Sequence, residues 1–162
     1  MYDVRSIANW VLDQADGVGT QLSNMALNKI VYFIIEKALV ERGELLTAAK
    51  IEAWEHGPVI REIYHSFKTH GDGPITSRAK CFDSATRSMV VAGEAFEDCD
   101  TELFEEALEA YIHLTAAQLR ALSHQPGSPW HRVWWHDGHI NPGMEISIDT
   151  IHESFSQEAK QS

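Results

Sequence analysis

Apolar residues recur along this chain mostly at helical spacing. Val4, Ile7, Ala8, Val11 and Ala15 share one face and predict a first helix over residues 3–15, broken by Gly17 and Gly19. Ser23 is placed to cap a second helix that runs to Gly43, a natural position for a left-handed stop. Its centre, Ile30-Val31-Tyr32-Phe33-Ile34-Ile35, is apolar on nearly every side, the mark of a helix buried all round. Residues 51–55 alternate and read as a short extended piece. Pro58 suits the first position of a third helix, with Val59, Ile60, Ile63, Tyr64 and Phe67 on its apolar face and Gly71 ending it. Residues 75–92 lose the helical period, and Ile75, Cys81, Phe82, Met89, Val90 and Val91 predict a small hairpin around Ser84-Ala85.

The second half returns to helix. Leu103, Ala107 and Tyr111 join Phe104, Leu108 and Ile112 in one apolar stripe, with Glu102, Glu105, Glu106 and Glu109 opposite. Thr115 and Gln118 form a capping-box pattern for a fifth helix ending near His124. Ser128 and Pro129 open a helix carrying Trp130, Val133, Trp134 and Trp135. Beyond the Asn141-Pro142-Gly143 turn, Ile146 and Ile148 read as extended, and a last amphipathic helix holds Ile151 and Phe155. The fold class is mainly α: a compact single-domain helical bundle, residues 1–162, around a buried central helix, with a small β-hairpin or short strands.

Composition agrees with one core. The 162 residues are 44% hydrophobic, and no repeat or low-complexity linker divides them. The longest apolar run is far short of the about 20 residues that span a bilayer, and no signal peptide is read at the N-terminus. Cys81 and Cys99 allow no disulfide framework, so the expected compartment is the cytoplasm.

Charge changes this picture at one place. The net charge is −11, and residues 94–109 alone supply −8, with eight acids and no base. The remainder is close to neutral. Such a chain is poorly suited to nucleic acid, whose phosphates demand Lys and Arg. The acidic face is either an ordinary solvated helix face or a surface for a basic partner.

Candidate chemistry is sparse. His131, His136 and His139 cluster near Asp137, and His136-x-x-His139 suggests two imidazoles on one helical face, the basis of a metal-dependent hydrolase reading. The spacing matches no standard zinc pattern, and Gly138 argues that the helix is ending there. Neither cysteine lies in a nucleophile motif, and no glycine-rich phosphate loop occurs. His124 reads as a polar residue closing a helix, where a partly charged imidazole suits the dipole. Of five tryptophans, Trp130 and Trp134 share a helical face and point to the core, whereas Trp135 points elsewhere. No catalytic residue, metal or cofactor is assigned.

Three segments taken together resemble a known family. ALNKIVYF, IEAWEHGPVIREIYHSFKTHGDGPI and LSHQPGSPWHRVW are similar to the Panacea domain, the SocA-like antitoxin domain found in phage-associated GepA-type proteins. The signature positions are Lys29, Ile30, Tyr32 and Phe33; Glu52, Ala53, Trp54, Gly57, Pro58 and Val59; Tyr64; and Ser123, His124, Pro129 and Trp130, with Ser123 where threonine is more usual. The resemblance runs in order over about residues 5–156. It implies a non-enzymatic antitoxin that binds a cognate protein toxin, with a branch that delivers its partner to a cytosolic protease. Relatives with an added DNA-binding domain exist; this chain begins at the domain, so no DNA binding is expected of it. On this reading Trp54, His56 and Trp135, with Glu102, Glu105, Glu106 and Glu109, are the candidate toxin contacts.

Overall fold

The computed structural model describes residues 1–161, with side chains through Gln157. Its order begins with α1 (Val4–Gly17), α2 (Asn24–Arg42), β1 (Ile51–Trp54), β2 (Gly57–Ile60) and α3 (Arg61–Phe67). A 3-10 turn over Lys68–His70 leads to β3 (Lys80–Asp83) and β4 (Ser88–Val91). Then come α4 (Asp98–Tyr111), α5 (Ala116–Ser123), α6 (Pro129–Trp134), β5 (Trp135–His136), β6 (His139–Ile140) and α7 (Ile148–Gln161). The strands form three separate antiparallel pairs, so the architecture is mainly α.

The central helix is α2. The Ser23 hydroxyl accepts the Ala26 amide at its start, and Gly43 (φ 67°) stops it with its N–H on the Leu39 carbonyl. Between these caps Leu27, Ile30, Val31, Ile34 and Ile35 are buried, and α1, α3, α4, α5, α7 and β2 all pack around the helix. Phe33 stacks on Tyr111 of α4 at 4.6 Å, which docks the acidic helix by its apolar stripe. The Thr115–Gln118 capping box is present at the start of α5.

Polar side chains fix the smaller elements. Buried Asn9 of α1 donates to the carbonyls of Ala79 and Ala92 at 2.9 and 2.8 Å and accepts from the Ala79 amide. It therefore clamps both roots of the β3–β4 hairpin, a job that a buried amide can do with its donors and acceptor all satisfied. On the free edge of β1, residues 143–146 run alongside and exchange backbone bonds with Ala53 and Ile51.

Three expectations are corrected. Pro58 does not start a helix: it sits in β2, paired with Ala53, and α3 begins at Arg61. Val59 and Ile60 are accordingly strand residues. Proline fits because β2 is the outer strand of its pair, where a missing N–H costs no ladder bond. Trp135 leaves the α6 helix and enters β5, because Asp137 and Gly138 (φ 53° and 73°) form a tight reverse turn. Ile148 is the first residue of α7 rather than an extended one, whereas Ile146 does lie beside β1.

Candidate functional site

The signature residues of three distant segments meet at Gly57. A two-residue turn, Glu55-His56, joins β1 to β2, and Gly57 leaves it with φ 116°. A β-carbon on Gly57 would lie 2.6 Å from Lys29 Cε and 2.7 Å from Ser123 Oγ. Glycine is thus required twice, by its backbone angle and by the close approach of α2 and α5. Lys29 itself is fully buried, and its ammonium donates to the Pro58 carbonyl at 3.1 Å.

The C-terminal motif locks the same junction from the other side. The Ser128 hydroxyl accepts the His131 amide, capping α6, and donates to the Ser123 carbonyl at 2.8 Å. Pro129 follows as the first helical residue. Trp130 is buried, and its indole N–H donates to the Trp54 carbonyl at 2.7 Å. The His124 ring lies flat on Trp130, centroids 3.7 Å apart, and Trp134 also stacks on Trp130 at 5.5 Å. His124 does close α5, but it is not the charged imidazole expected there. Burial first, and then the nearby Arg120 charge, push it down to about 4, so it is neutral near pH 7.

Above Lys29 lies a cavity of about 350 Å³. Asn24, Asn28 and Lys29 of α2 form one wall; Trp54, Val59 and Tyr64 form another; Glu55, His56, Lys68 and Asp72 sit around it. The two asparagines are committed to structure. Asn28 accepts the Ile60 amide at 2.9 Å, and Asn24 donates to the Tyr64 carbonyl at 3.0 Å. Trp54 is half-buried and packs edge-on against Tyr64 at 4.8 Å. Sequence reasoning missed both asparagines, although two amides four residues apart in an otherwise apolar helix are a readable signal of a buried polar contact. Burial, followed by the Arg120 charge, lowers the Lys29 amine to about 7.

Other candidate residues lie elsewhere. Tyr32 is not part of the cavity wall; its hydroxyl donates to the Glu36 carboxylate, and burial and that carboxylate raise its phenol well above the usual value. Glu102, Glu105, Glu106 and Glu109 are all exposed along α4; Glu106 pairs with Lys37 at 3.3 Å. Not every acid of 94–109 is free. Asp100 is buried, accepting from Tyr2 at 2.6 Å and pairing with Arg42 at 3.1 Å, and Glu94 accepts the Asp3 amide. Trp135 is 50% exposed and pairs across β5–β6 with Ile140, equally exposed. The β3–β4 hairpin shows a second apolar face, with Phe82 opposite Met89 and Val91 beside them, all exposed.

The histidine cluster does not gather into a helical pair. His136 and His139 face each other across the β5–β6 hairpin, both exposed. Among the described residues the group with metal-like spacing is Glu97, Cys99 and Asp100, whose Asp100 carboxylate is already held by Arg42 and Tyr2. No described helix is long and apolar enough to cross a membrane.

Comparison with known proteins bears on the same residues. The family described as "Antitoxin SocA-like, Panacea domain" matches residues 27–131, a span that starts two residues before Lys29 and ends one after Trp130. The protein named Antitoxin SocA from Caulobacter vibrioides is 34% identical over 154 residues, covering 94% of this chain and 82% of that protein. No solved structure matches the chain.

Proposed function

This chain belongs to the SocA-like antitoxin family defined by the Panacea domain, and from that membership we propose that it neutralises a protein toxin by binding it directly. The observation that carries the proposal is the Gly57 junction. The family's signature residues spend polar groups on one another, Lys29 on Pro58 and Trp130 on Trp54, and Ser128, between signature positions, adds a bond to Ser123. Residues used in this way hold a shape, and they support a binding protein better than an enzyme.

The toxin contacts then belong to the surface around that frame. The exposed acids Glu102, Glu105, Glu106 and Glu109 supply a negative field that would speed encounter with a basic toxin. Trp135 with Ile140, and Phe82 with Met89, supply exposed apolar side chains of the type that anchors interfaces. Toxins acting on RNA or nucleotides carry basic clefts, which suits this arrangement. The test is co-expression with the protein encoded beside this one. Restored growth with a toxic neighbour, and a stable complex on purification, is the expected result; a toxic neighbour that neither binds nor is relieved would refute the reading.

A further inference from the structure

The two edges of the β3–β4 hairpin are finished differently. Its register sets Lys80 against Val91, Cys81 against Val90, Phe82 against Met89 and Asp83 against Ser88, and just below it the Ala92 amide donates to the Ala79 carbonyl. Hydrogen-bonded and non-bonded pairs alternate along an antiparallel ladder, so Cys81–Val90 and Asp83–Ser88 are the pairs that exchange bonds. The backbone groups of Lys80 and Phe82 on β3, and of Met89 and Val91 on β4, therefore point away from the hairpin. On β3 that edge is guarded: Lys80 and Asp83 carry charge, and the Arg5 guanidinium donates to the Lys80 carbonyl at 3.4 Å. On β4 it is not. Ser88-Met89-Val90-Val91 holds no charge and no proline, its pairing has no bulge, and among the described residues nothing bonds the outward groups of Met89 or Val91. Their side chains are 56% and 58% exposed. An apolar edge left in this state is a template for another strand, and a lone two-stranded hairpin gains most from one.

We propose that β4 pairs with β4 of a second copy of this chain, antiparallel about a two-fold axis, so that two hairpins join into one four-stranded sheet. The occupant is a second copy because β4 is complementary to itself. With Val90 facing Val90 on the axis, Met89 meets Val91 of the other copy, and these are the two residues whose outward groups are open. Each such pair exchanges two bonds, and the symmetry supplies the pair twice. The side chains continue in register: Phe82 and Met89 of one copy stand in a row with Val91 of the other, on one face of the sheet. Charge fits as well. β4 brings no like charges together, and extending the register sets Arg87, which makes no ion pair among the described residues, beside Gly93-Glu94 of the other copy. Glu94 is already positioned there, with its carboxylate on the Asp3 amide. The pairing uses edges only. It leaves the Phe82–Met89 face open and doubles it across the axis, so it goes beyond the toxin-binding reading without depending on it.

The experiment uses the full chain without toxin. Sedimentation from about 1 to about 500 µM follows its mass, and amide hydrogen exchange by NMR at both ends of that range follows single N–H groups. Dimer is expected to replace monomer as concentration rises. The Met89 and Val91 amides are expected to slow with it, while the Phe82 amide on the guarded edge does not. Val91→Pro is the sharpest variant, because it removes an N–H that β3 does not use and so spares the hairpin. By symmetry it takes two of the four edge bonds from the dimer, at about fivefold each, so the dimer should weaken by about 25-fold. Should Val91→Pro fail to fold, the wild-type exchange still decides, and Met89→Lys guards the β4 edge as Lys80 guards β3. A chain that stays monomeric throughout would overturn the proposal, as would a dimer whose Met89 and Val91 amides exchange as fast as the monomer's, or a folded Val91→Pro that dimerises like the wild type. Protection of those two amides by added toxin, in a chain that is monomeric alone, would give the edge to a toxin strand and overturn the second copy.

Discussion

The Gly57 junction and the outer face of α4 are the two most distinctive stretches of this chain, and they are built in opposite ways. At the junction, contacts 29 and 76 residues apart in sequence converge beside one glycine, and most of the signature side chains there are buried or hydrogen-bonded to one another. On α4 the distinctive residues are consecutive in sequence, and Glu102, Glu105 and Glu109 face solvent. A change at the junction has nowhere to be absorbed, whereas a change on α4 meets only water. A family signature and a binding surface therefore need not be the same residues: the first can hold the frame that presents the second.

That contrast can be broken at several points. The largest effect belongs to Gly57→Ala. It adds a β-carbon that collides with Lys29 and Ser123 and holds alanine at φ 116°, so we expect a loss of about 3 kcal/mol or more by denaturant unfolding. A loss below about 1 kcal/mol would mean that the junction yields more than close packing normally allows.

Next is Trp130→Phe, which keeps most of the stack with His124 but strands the Trp54 carbonyl; the expected cost is about 1–3 kcal/mol. Lys29→Met is expected to leave stability unchanged or raise it, because it removes the burial of a charge. Its signature is in pH. The folded-state value of about 7 lies below the unfolded value near 10.5, so the unfolded chain binds more protons between them. Stability from this group is fully present above 10.5 and is lost as pH falls towards 7. The difference between wild type and Lys29→Met should carry that slope and be flat below pH 7, as read by thermal melts across the range.

The smallest effect on folding comes from replacing Glu102, Glu105 and Glu109 by Gln together. We expect stability to move by no more than about 0.5 kcal/mol, while the salt dependence of toxin association falls. Unchanged salt dependence in stopped-flow association would remove the acidic face from the binding surface.

Much of the frame is legible from residues whose signals act locally. Ser23, Gly43 and the Thr115–Gln118 pair mark helix ends by their own hydrogen bonds, and the apolar girth of α2 announces burial. The errors fall where one local signal has two meanings. Pro58 has the same fixed φ and missing N–H at a helix start as in an outer strand, and only pairing with Ile51–Trp54 decides between them. Asp137-Gly138 is as good a hairpin turn as a helix exit, and reading it as an exit, which already spoke against His136 and His139 on one helix face, still hid the β5–β6 pairing that sets them opposite each other. The cavity and the solitary bond of Lys29 were beyond reach because they depend on α2, β1, β2 and α3 meeting in space. The resemblance set the signature segments in order along the chain; that they meet in space, and why glycine must stand at 57, only the structure shows.

The stack of His124, Trp130 and Trp134 also makes the molecule its own optical probe. Trp130 and Trp134 emit from an interior shielded from solute, while Trp135, one residue further on, stands half in water. Iodide added to the free protein should therefore dim Trp135 most, the half-buried Trp10 and Trp54 less, and spare Trp130 and Trp134. A partner seated over β5–β6 would protect Trp135, so contact at this hairpin can be followed by light alone, with no label attached.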